Sequence, residues 1–97
     1  MPGPATLNIV GYQQLTLSGV ATALTRPTNE RQRHALITVS GGPIRWGTAP
    51  STTQGTPVGA GGTIDWTDME HDYAGLLDNV KFINTGAPAT LDVQFFG

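Results

Sequence analysis

Ninety-seven residues, a net charge of −2, a charged fraction of 12% and no cysteine describe one small domain. They exclude disulfide staples, thiolate metal centres and cysteine nucleophiles, and the lack of any long apolar run excludes a transmembrane helix. Charged side chains are about half as frequent as the ~25% usual in soluble domains, so the surface is mostly Thr, Ser, Gly, Gln and Asn and is cheap to desolvate against a partner.

Residues 1–8 contain Pro2, Gly3 and Pro4. Proline fixes φ and removes backbone donors, so this stretch reads as an extended arm, with Pro2 and Pro4 as candidate contacts to a neighbour. It lacks the charged and apolar regions of a signal peptide, so the product is expected to stay in the cytosol that makes it unless a larger particle carries it out. Tyr12 to Leu17 alternates polar and apolar residues as a strand does, and Gly19 punctuates it. Val20 to Leu24 is a second short run, rich enough in alanine to form a helical turn instead. Arg26 to Arg33 is polar and turn-rich, a loop carrying Arg26, Arg31 and Arg33.

Ala35 to Ser40 is a β-branched strand. Gly41-Gly42-Pro43 follows, and Ile44 to Gly47 reads as the returning arm of a hairpin. Thr48 to Gly62 is loop with one short extended piece near Thr56-Pro57-Val58, and Thr63 to Thr67 alternates again with Ile64 and Trp66 on one face. Asp68 to Gly75 is the one plausible helical turn, capped by Asp68 and stopped by Gly75, with Leu76 and Leu77 as core anchors. Val80 to Asn84, a Thr85–Pro88 turn and Ala89 to Phe96 read as a closing hairpin whose last strand puts Leu91, Val93 and Phe95 on one face and Asp92, Gln94 and Phe96 on the other.

Six to eight short strands separated by turn signals predict an all-β fold: a compact antiparallel β-sandwich, jelly-roll-like, over residues 9–97 with the arm at 1–8. The expected core is Leu15, Leu17, Val39 with Leu36 or Ile37, Ile44, Trp46, Ile64, Leu76, Leu77, Val80, Phe82, Leu91, Val93 and Phe95. A chain this short buries roughly 60–65% of its unfolded surface, so partner subunits would add useful stability.

No catalytic set accompanies this scaffold, and no catalytic, cofactor or metal residues are assigned. Glu70, His71 and Asp72 are adjacent in a turn and poorly placed to converge on one ion. His34 and Ser40 have no evident carboxylate partner, and Val58-Gly-Ala-Gly-Gly62 lacks the lysine and helix of a phosphate loop. One basic cluster in an acidic chain argues against nucleic acid. Trp46, Trp66, Tyr12 and Tyr73 with nearby acids such as Asp65 allow a carbohydrate-binding reading, with core packing of the tryptophans as the favoured alternative. Arg45 has opposite strand parity to Trp46 and becomes an interface anchor if Trp46 points inward. Charge is uneven: residues 1–60 hold Arg26, Arg31, Arg33 and Arg45 against Glu30, a balance of +3, and residues 61–97 hold Lys81 against Asp65, Asp68, Glu70, Asp72, Asp78 and Asp92, a balance of −5. Placed on different faces, these halves would let identical copies attract one another.

The strand Ile44-Arg45-Trp46, its Gly47-Thr48-Ala49-Pro50 exit, the Val80-Lys81-Phe82-Ile83 strand and the closing Ala89-Thr90-Leu91-x-Val93-x-Phe95-Phe96 resemble small β-sandwich proteins encoded among the virion genes of tailed bacteriophages. The likeness covers residues 35–97 well and 5–34 loosely; the acidic turn at 68–75 departs from it. It implies a non-enzymatic capsid decoration or cement protein on the virion surface, with the major capsid protein and other copies of itself, as a homotrimer, for partners, and neither nucleic acid nor membrane. Other virion roles at the head–tail joint or tail tip, and a carbohydrate- or receptor-binding module, are the alternatives. Pro2, Pro4, Arg26, Arg31, Arg33 and Arg45 are the candidate interface residues.

Overall fold

The computed structural model describes residues 9–25, 34–67 and 74–96. Among these described residues eight strands and one short helix follow one another: β1 (Ile9–Leu17), β2 (Thr22–Ala23), β3 (His34–Ser40), β4 (Ile44–Gly47), β5 (Thr56–Val58), β6 (Thr63–Trp66), α1 (Ala74–Asn79), β7 (Lys81–Asn84) and β8 (Ala89–Phe96). They form two four-stranded sheets, β1-β8-β3-β6 and β2-β7-β4-β5, called here sheets A and B. Every pairing is antiparallel.

The pairing is nested. β4 pairs with β5, β3 with β6, β2 with β7 and β1 with β8. The chain is thus a four-deep antiparallel hairpin, rolled so that β8 also meets β3 and β7 also meets β4. That is the jelly-roll arrangement of an eight-stranded double sheet, and it bears out the expected sandwich.

Nesting overturns two expected hairpins. β3 and β4 lie in different sheets, as do β7 and β8. Gly41-Gly42-Pro43 and Thr85–Pro88 are therefore arches across the sandwich. Among the described residues, β4 and β5 are the only sequence neighbours that form a hairpin. The reason for the glycines changes with this. Gly41 has φ +90, and a Cβ there would lie 2.8 Å from the Pro88 carbonyl oxygen; at Gly42 it would lie 2.8 Å from that of Ala87. The two arches touch backbone to backbone, and only glycine lets them approach.

Polar groups tie this end of the sandwich together. Asn84 is buried, 7% exposed. Its Oδ1 accepts from the Gly19 amide at 2.6 Å, and its Nδ2 donates to the carbonyls of Gly86 and Ala87 at 3.2 and 3.4 Å. The Thr85 amide and hydroxyl both donate to the Pro43 carbonyl. Three sheet-switching connections are thereby joined.

Strand phase fixes the core. Alternation puts Ala35, Ile37 and Val39 inward and leaves Leu36 half-buried on the outside, so Ile37 rather than Leu36 is the core residue. Leu17, Ile44, Ile64, Leu77, Val80, Phe82, Leu91, Val93 and Phe95 complete the expected interior, with Leu15, Leu76 and Trp46 packed at its margin. Trp46 of sheet B meets Trp66 of sheet A edge to face, ring centres 5.0 Å apart, and Trp66 lies 6.5 Å from Phe82. Trp66 is a core residue and Trp46 is packed, half-buried, against it.

Gly75 does not stop the helix but lies in its first turn. Burial of Leu77 and Val80 draws residues 74–79 into helical phase and outweighs the roughly 1 kcal/mol propensity cost of glycine. The expected turn at 68–73 lies outside the described residues.

Candidate interaction surface

The outer side of sheet A follows from register. Tyr12, Gln94, Leu36 and Asp65 form one row across the four strands; Gln14, Asp92, Thr38 and Thr63 form the next; Thr16, Thr90 and Ser40 form a third. These are the outward positions left when Leu17, Ile37, Ile64 and Val93 turn inward. Hydroxyls and amides dominate, and Asp65 and Asp92 are the charged members. Gln14 Nε2 donates to Asp92 Oδ1 at 3.1 Å. Asp65 Oδ1 accepts from both the amide and the hydroxyl of Thr67. A shallow depression of about 270 Å³ opens on this face, lined by Tyr12, Gln14, Leu36, Thr38, Asp92 and Gln94 among others.

Tyr12 stands at its rim, 69% exposed. The other exposed large apolar side chains among the described residues are Ile9 and Val20, at 48% and 68%. All three lie on β1 or just beyond it.

The outer side of sheet B carries the opposite sign. Arg45 and Lys81 occupy outward positions of β4 and β7, alternating with inward Ile44, Trp46 and Phe82. Arg45 points out as parity requires, and its Nη1 donates to the Gly55 carbonyl at 2.8 Å, closing the β4–β5 loop. One of its five donors is thus committed within the chain. Pro2, Pro4, Arg26, Arg31 and Arg33, the remaining expected interface residues, lie outside the described residues, as do Glu70, His71 and Asp72.

Trp66 is 7% exposed and Asp65 is tied to Thr67, so the Trp46–Trp66–Asp65 sugar platform is not assembled. His34 is buried at the start of β3, across from Phe96. Among the described residues no three His, Asp or Glu side chains are grouped as a metal site would require. None of their helices is long and apolar enough to cross a membrane.

The residues of this face that the sequence reading does not single out are Gln14, Thr16 and Gln94; Tyr12 enters it only as an aromatic for sugar stacking. Their signal was the outward parity of strands whose inward positions had already been identified. Comparison with protein-family models, with curated proteins and with solved structures finds no match to this chain.

Proposed function

We propose that the chain is a non-enzymatic structural protein of a tailed-phage virion, a decoration or cement protein that self-associates and docks on the outer capsid. The observation that carries this reading is the outer side of sheet A: a sheet face of Thr, Ser and Gln side chains with two carboxylates and a projecting Tyr12. Its hydroxyls and amides cost less to desolvate on docking than ionic side chains would, its two carboxylates need hydrogen-bonding partners there, and its tyrosine supplies contact area with little rotamer entropy to lose. Two further points support it. The Arg45–Trp46 strand with its Gly-Thr-Ala-Pro exit and the aromatic closing strand are the motifs by which the sequence resembles small virion proteins. The jelly roll itself recurs in viral capsids and lectins, an analogy of fold alone.

Its action is mechanical. A copy that spans two coat subunits binds the closed shell better than the opened one, and so stabilises it by mass action. Many attachment points hold even when each is weak.

The test is add-back. Particles from a phage deleted for this gene are titrated with purified protein and heated. Binding that saturates at a fixed ratio to coat protein and raises the temperature of genome release is expected. Particles that bind none of it, or bind it only at the head–tail joint or tail tip, would contradict the capsid role.

A further inference from the structure

The four edges of the sandwich are unequal. β2 has two residues, β5 has three and contains Pro57, and β6 has four and carries Asp65. Shortness, proline and charge are the usual protections of an edge strand. β1 has none of them. It is nine residues long and contains no charged residue and no proline. It pairs with β8 on one side, and among the described residues no strand pairs with it on the other. A bulge at Ile9–Gly11 interrupts its start, but Gly11 to Leu17 runs in unbroken register.

The same edge carries the exposed apolar surface. Ile9 and Tyr12 are exposed on this strand and Val20 just beyond its end, and Val10 and Leu15 of the same strand are only partly buried. A long, uncharged, apolar edge is the kind that pairs with another strand.

We propose that β1 is a self-association edge, and that its occupant is β1 of a second copy, running antiparallel about a two-fold axis. The register that pairs all seven regular residues is centred on Gln14. It sets Gln14 beside Gln14 of the second copy, where amides serve as donor and acceptor to each other, and sets Tyr12 beside Thr16 of the second copy. With no ionic side chain on the strand, no like charges meet. The two sheets A become one continuous eight-stranded sheet.

Area gives a second reason. At about 4.8 Å between strands and 3.4 Å per residue, the outer side of one sheet A covers roughly 400 Å². A standard interface needs about 800 Å² per partner. Two sheets joined at β1 supply it as a single continuous, twisted face. An isologous contact closes at two copies, so the unit is a dimer and not the trimer expected from the resemblance. This contact rests on the self-association part of the proposed function and not on the identity of the larger partner.

Sedimentation velocity of the full chain over a wide concentration range tests it, alongside the Tyr12→Lys/Thr16→Lys double variant. Both positions are exposed, and in the proposed register they oppose two lysines at each of two symmetric sites. Wild type is expected to dimerise, and the variant to do so roughly tenfold more weakly or worse. Amide hydrogen exchange of wild type, dilute against concentrated, gives a reading that needs no variant: amides between Gly11 and Leu17 slow on dimerisation. A wild type that stays monomeric, an oligomer of any size indifferent to the lysines, or β1 amides unchanged by concentration would each overturn the proposal. Particle binding is scored separately. A monomer that still decorates particles ends the β1 contact alone, and a β1 dimer that ignores every particle ends the capsid role alone.

Discussion

Asn84 shows how one side chain can hold a sandwich end closed. It is buried, accepts from the Gly19 amide, and donates to two carbonyls of the arch between β7 and β8. Alanine there leaves those carbonyls without their amide donor. Asn84→Ala is expected to lose about 1–3 kcal/mol of unfolding free energy in urea. Asn84→Asp should be at least as damaging, because a carboxylate keeps the acceptor for Gly19 but faces two carbonyl oxygens with no donor. An aspartate variant as stable as wild type would mean that the two arch contacts contribute nothing.

At the scale of elements, the arches decide the topology. Gly19 and Gly41 have nearly the same φ, +93 and +90, but a Cβ at Gly19 meets nothing within 4 Å while one at Gly41 meets the Pro88 carbonyl at 2.8 Å. Gly19→Ala is expected to cost about 1 kcal/mol of backbone strain. Gly41→Ala adds the collision and is expected to cost roughly 3 kcal/mol. Equal melting temperatures for the two variants would show that the arches do not press on each other. These positions also mark where the sequence stops being informative. Strand existence and phase were legible, because alternation in Leu91–Val93–Phe95 and in Ile64–Trp66 follows directly from the two-residue period. Pairing was not. Gly-Gly-Pro and Thr-Gly-Ala-Pro have the composition of hairpin turns, yet each joins strands of different sheets, and nothing local distinguishes a turn within a sheet from an arch between sheets. Gly75 misled for a related reason: its low helix propensity is local, and the burial of Leu77 that overrides it is not. Among the expected interface residues only Arg45 could be placed, and parity alone had given its direction.

The whole molecule is defined by nesting. β1 and β8 come from opposite ends of the chain and form the longest ladder, so most of the loop-closure entropy must be lost before sheet A exists. Refolding from denaturant is therefore expected on the order of milliseconds to seconds, as for other sandwiches, and not microseconds; stopped-flow tryptophan fluorescence reads it through the Trp46–Trp66 pair. The same nesting places the charges of the described strands on two sides, Asp65 and Asp92 on one outer face and Arg45 and Lys81 on the other, with Asp78 on α1. The molecule thus has two distinguishable sides, and a partner that prefers one side fixes its orientation.

What such a body does is a matter of where it is found. Quantitative mass spectrometry of phage particles purified through a density gradient is the most direct measurement. The proposed function predicts this chain at a fixed, many-copy ratio to the major coat protein in intact particles. Particles that are complete and infectious without it, with the chain left wholly in the soluble fraction of the lysate, would contradict a structural role in the virion.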